Sequence, residues 1–170
     1  MTKLGLSWVL AAALLIVTAP VLGGSSAGAG TTFIDGYNAY AAKDYARAME
    51  ILKPLAEAGH ADAQWWVGRM YEKGQGVDKD MDHVRTWYRR AAKGGQRRAQ
   101  YKLGVAYARG MQGVEKNEAE AAKWLLSSAE KGYDRAQKVV AHGYKKGKFG
   151  FPKDPEKAKY WQEKADAQKK

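Results

Sequence analysis

Residues 63–100 read AQWWVGRMYEKGQGVDKDMDHVRTWYRRAAKGGQRRAQ. The same apolar and glycine positions return in residues 99–137, AQYKLGVAYARGMQGVEKNEAEAAKWLLSSAEKGYDRAQ, and again after Ala136. Ala63, Ala99 and Ala136 stand 36 and 37 residues apart, and Trp87, Trp124 and Trp161 are each 37 apart. A fixed period of this size marks stacked supersecondary units that share one continuous core. The chain is therefore read as repeats of about 31–62, 63–98, 99–135 and 136–170, and its function is sought on a surface.

Each unit carries two helix signatures. Asp44, Asp80, Asn117 and Asp154 each stand seven residues before Ile51, Trp87, Trp124 and Trp161. Asp and Asn accept from otherwise unpaired first-turn amides, so these residues start the second helices. Asn117 with Glu120 is close to a capping box, and Pro155 suits the first helical position. Ala48, Val84, Ala121 and Ala158 lie one turn before the large apolar residue and are assigned to the core. The first helices read AQWWVGRMY, AQYKLGVAY and AQKVVAHGY, with alanine, a central Val67, Leu103 or Val140, and tyrosine along one stripe. Gly68 and Gly104 permit close helix approach, whereas Gly143 is shifted by two positions, which predicts less regular packing in the last unit.

Between the helices, Gly74, Gly110 and Gly147 fall where a left-handed C-cap is wanted. Gly76, Gly113 and Gly150 precede Val77, Val114 and Phe151, which are expected to plug the loops onto the core. No Lys-Ser/Thr follows these glycines and no strand precedes them, so they do not form a phosphate cradle.

Residues 1–29 carry one charge, Lys3, then LGLSWVLAAALLIVTAPVL and small residues, which is a secretory signal pattern with cleavage after Ala27 or Ala29. An uncleaved anchor is the alternative, and cleavage leaves no transmembrane anchor. Either topology puts the repeats outside the cytoplasm, with a periplasmic or secreted location and no nucleic-acid partner. The 170 residues have a net charge of +11, of which only Lys3 lies in the leader. That balance favours acidic proteins, anionic glycans or headgroups as partners. The absence of cysteine excludes disulfides and thiolate chemistry.

Taken together, the alanine, Val/Leu–Gly, tyrosine, paired-glycine, Asp/Asn and tryptophan positions from Phe33 to Ala167 resemble Sel-one-like repeats, relatives of the tetratricopeptide repeats. The first unit departs toward an ordinary tetratricopeptide, the loop at Met111–Gln112 has an extra residue, and Ala141 replaces a glycine. The resemblance implies an all-α fold, a right-handed α-solenoid of antiparallel helix pairs, whose first helices line the concave face. It also implies a non-enzymatic adaptor or regulator, of a kind associated with bacterial envelope signalling, cell-wall enzymes or exopolysaccharide control.

With that geometry carried over, the exposed first-helix residues form a basic groove. The candidate partner-binding residues are Trp65, Arg69, Lys73, Arg98, Tyr101, Arg109, Arg135, Lys138, Lys145 and Lys146. Arginine pairs bidentately with carboxylates, and large aromatics anchor interfaces, so the expected partner is a protein with an acidic segment. A second basic cluster, Arg89, Arg90, Lys93, Arg97 and Arg98, spans a helix end and is read as structural. The alternative function is binding of peptidoglycan or an anionic polysaccharide. A further alternative is a hydrolase of the β-lactamase-associated subgroup, but this cysteine-free chain lacks that subgroup's disulfide pattern. His60, His83 and His142 occupy unrelated repeat positions, and Ser127 and Ser128 stand where packing requires small residues. No catalytic residue, metal site or cofactor is therefore assigned.

Overall fold

The computed structural model describes residues 32–168. Among them are eight α-helices and no strand: α1 (Phe33–Ala41), α2 (Tyr45–Glu57), α3 (Ala61–Lys73), α4 (Met81–Lys93), α5 (Arg97–Arg109), α6 (Glu118–Glu130), α7 (Asp134–Lys146) and α8 (Pro155–Ala167). The signal-peptide reading falls on residues 1–29, outside the described residues. No described helix is long and apolar enough to cross a membrane.

The helices pack as four pairs, each second helix also touching the first helix of the next pair. Small residues set the distance within a pair. A Cβ on Gly36 would come 2.6 Å from Leu52, on Gly68 2.8 Å from Tyr88, and on Gly104 2.8 Å from Leu125. In the last pair Ala141 occupies the equivalent position and is buried. Gly143, two residues on, makes room for the buried ring of Phe151, where a Cβ would come 2.5 Å from the ring. The displaced glycine thus serves the loop plug and not the helix contact.

Ala48, Val84, Ala121 and Ala158 are all buried, as are Val67, Leu103 and Val140. Asp44, Asp80, Asn117 and Asp154 all accept from first-turn amides, and Gly74, Gly110 and Gly147 are left-handed C-caps. Glu120 departs from the expected capping-box role. Its carboxylate accepts from the Trp124 indole Nε1 at 2.9 Å.

Three buried glutamines join successive pairs. Gln64, Gln100 and Gln137 donate from Nε2 to the carbonyls of Ala56, Ala92 and Ala129 at 3.0, 3.2 and 3.1 Å. Each is a second donor to a last-turn carbonyl of the preceding second helix, which also accepts from the backbone N–H of Gly59, Gly95 or Gly132.

Candidate partner-binding groove

The first helices set the groove through residues flanking their buried alanines. Trp66, three residues after Ala63, leans toward α1, its ring centroid 5.2 Å from Tyr37 and 4.6 Å from Tyr40. Arg69, one turn on, holds its guanidinium 5.1 Å from the Trp66 ring. Beside this aromatic shelf opens a cleft of about 540 Å³, lined by Phe33, Tyr37, Asp62, Trp66, Arg97, Arg98, Lys131 and the turn at Gly94–Gln96.

Its cations are not equivalent. Arg97 donates to the carbonyls of Lys131 and Gly132, both at 3.3 Å, and so caps the end of α6. Arg90 of the same basic cluster covers the Trp87 ring at 5.1 Å. Arg98 is half-buried and makes no ion pair or hydrogen bond among the described residues. A guanidinium that shares a cleft with aromatic rings and a lysine, and has no carboxylate partner among the described residues, is suited to receive one.

Trp65 corrects the expected site. It is 5% exposed and stacks on Tyr88 with centroids 4.7 Å apart. Lys102 from the next pair lies 4.5 Å from the Tyr88 ring centroid and pairs with Glu72 at 2.5 Å, and the Tyr88 hydroxyl donates to Glu72 at 2.9 Å. Burial pushes the Glu72 carboxyl up, but hydrogen bonds from Lys102 and Tyr88 outweigh it and hold the carboxyl below its ordinary value. Burial and the Glu72 charge raise the Tyr88 phenol. This cluster joins α3, α4 and α5 internally, so the aromatic of the cleft is Trp66, one residue further along.

The other candidates are spread over the surface. Tyr101 is half-buried and meets Tyr133 edge-on, with centroids 5.3 Å apart. Lys73, Arg109, Arg135 and Lys146 are exposed. Lys138 pairs with Asp134 at 3.1 Å and, with Lys145, lines a different cleft between α7 and α8. The structure therefore brings Arg98 into the first cleft beside the Trp66–Arg69 pair, with Lys138 and Lys145 in the second. Sequence reasoning missed Tyr37, Trp66 and Lys131. The available signal was that Trp66 has Lys102 and Val139 at its repeat positions, so the stack does not require tryptophan there. No group of His, Asp or Glu among the described residues is arranged to hold a metal ion.

Comparison with known proteins matches the Sel1 repeat model at residues 35–60, 61–96, 97–133 and 135–165. The chain is similar to the crystal structure of a Sel1 repeat protein from Oxalobacter formigenes, with a TM-score of 0.67 and 40% identity over 73% of this chain and 92% of that one. It also resembles c5321, a protective antigen present in uropathogenic Escherichia coli strains and displaying an SLR fold. That match has a TM-score of 0.66 and 34% identity, covering 79% of this chain and 29% of that one. Chitin synthase regulator SKT5 of Saccharomyces cerevisiae is 38% identical over 61 residues, 36% of this chain and 9% of that protein. With four repeat matches in succession and the helix pairs that carry them, the chain belongs to the Sel1 repeat family.

Proposed function

We propose that this protein is a non-catalytic adaptor or regulator of the bacterial cell envelope that holds an acidic segment of a partner protein in the α1–α3–α5 cleft. Sel1 repeat proteins generally mediate protein–protein interaction, and their fold is typically a non-catalytic scaffold. SKT5 is by its name a regulator, which agrees with that class of role. The leader motif of residues 1–29 supports export to the envelope.

The carrying observation is Arg98, half-buried in the cleft with Trp66 and Tyr37 and without an ion pair or hydrogen bond among the described residues. An acidic side chain of the partner would meet Arg98 and Lys131 while an adjacent apolar group rests on the aromatic shelf. Placing a photo-crosslinker at Tyr37 in cells should capture a protein, and Arg98→Glu, in a variant with an unchanged melting curve, should cut that capture about tenfold. Unchanged capture would overturn the cleft as the site. A crosslinked glycan, with release from purified cell wall by salt, would favour the polysaccharide reading instead.

A further inference from the structure

Among the described residues, the outer face of α7 and α8 is built like the faces that the next pair covers at the earlier junctions. At each earlier junction the next pair covers the same positions. The loop glycine Gly76 lies where a Cβ would come 2.7 Å from the Tyr45 carbonyl. Gly113 lies over Arg85, and Gly150 packs on Glu118 and Ala122. Tyr45, Glu118 and Pro155 all follow the N-cap of a second helix, and Arg85, Ala122 and Lys159 share a later position. Between α4 and the third pair, around Arg85, Tyr88, Leu103 and Val114, only about 10 Å³ remains open. The corresponding surface on α7 and α8 leaves a cleft of about 420 Å³, floored by Ala141 and Ala158 and bordered by Lys138, His142, Lys145 and Lys159.

Lys138 at the border of this cleft is paired with Asp134, while the other lysines, Lys145 and Lys159, line it and make no ion pair among the described residues. No carboxylate lines the cleft. The earlier junctions show what the first-helix position requires of its neighbour. Four residues beyond the small residue of the helix contact stand Tyr40, Glu72, Ala108 and, in the last pair, Lys145. Opposite them, three residues after the buried alanine of the next first helix, stand Trp66, Lys102 and Val139. Tyr40 meets Trp66 at 4.6 Å and Glu72 meets Lys102 at 2.5 Å, so the pair is matched in kind where it is polar. Lys145 reverses the sign of Glu72, so the group complementary to it is a carboxylate.

We infer that the α7–α8 end face docks an acidic amphipathic helix of a partner protein, which continues the helical stack and sets a carboxylate against Lys145. A helix is favoured over a flexible polyanion because this face has the shape that α5 and α7 cover at the preceding junctions.

The test uses the whole protein and three labelled probes in fluorescence anisotropy: a stapled helix with glutamates along one face, the same helix with lysines, and an unstapled polyglutamate. The glutamate helix should bind at least about tenfold more tightly than either other probe, and Lys145→Glu with Lys159→Glu should reverse the preference between the two helices. Lys145→Gln, a milder change at an exposed site, should weaken the glutamate helix without reversing the preference. Arg98→Glu should leave this binding unchanged, which separates the end face from the α1–α3–α5 cleft. Equal binding of polyglutamate, no binding of the glutamate helix, or indifference to the lysine substitutions would each overturn the proposal.

Discussion

At Gly104 a single hydrogen atom sets the spacing of two helices. A Cβ there would come 2.8 Å from Leu125 Cγ and 3.0 Å from the Leu125 backbone nitrogen. In an open helix, replacing glycine by alanine gains about 1 kcal/mol through backbone entropy. Here α6 itself stands in the way, and overpacking of this kind costs about 1–3 kcal/mol. Gly104→Ala is therefore expected to lower the urea midpoint with an unchanged slope, and a raised midpoint would show that α5 and α6 separate freely. This role was legible in the sequence because Gly68 and Gly104 recur at one repeat position. Trp65 was misread for the same kind of reason: its repeat counterparts, Tyr101 and Lys138, differ from it and gave no sign of burial. Its burial comes from Tyr88 and Lys102, residues contributed by two other helices.

Local chemistry fixed the helix boundaries, and cross-chain chemistry fixed how the helices join. Asp44, Asp80, Asn117 and Asp154 act within their own first turns, so their roles follow from spacing alone. The glutamines after the buried alanines act on carbonyls eight residues back, across a turn, and only the packed structure reveals their acceptors. Glu72 shows what such a junction contributes. Its carboxyl is held below the ordinary value of 4.5 by Lys102 and Tyr88, so its stabilising effect is fully present above pH 4.5 and is lost as pH falls through the lowered folded value. Glu72→Gln should be less stable than the wild type at neutral pH, because Lys102 loses its partner. That difference should shrink in thermal melts as the pH is lowered past 4.5. A difference that stays constant with acidification would mean that the carboxyl contributes packing and not charge.

On the scale of the molecule, the main packing runs between helices adjacent in chain order, with α1 also touching α3. Stability in such a stack is close to a sum of repeat terms and nearest-neighbour terms. The repeat period made this architecture readable, while the clefts depended on which non-repeating side chains meet across junctions: Trp66 with Tyr37, or Lys145 with no described carboxylate. Trp66 is consequently both the shelf of the candidate groove and the tie between the first two pairs, through Tyr37 and Tyr40. Removing it should loosen one end only. In Trp66→Ala, hydrogen exchange of α1 amides should accelerate about tenfold or more, as expected for a local opening energy lowered by at least about 1.4 kcal/mol. Amides of α7 and α8, three junctions away along the chain, should keep their wild-type rates. Equal acceleration in α7 and α8 would show that the four pairs open as one cooperative unit, and the two clefts would then be energetically coupled instead of independent.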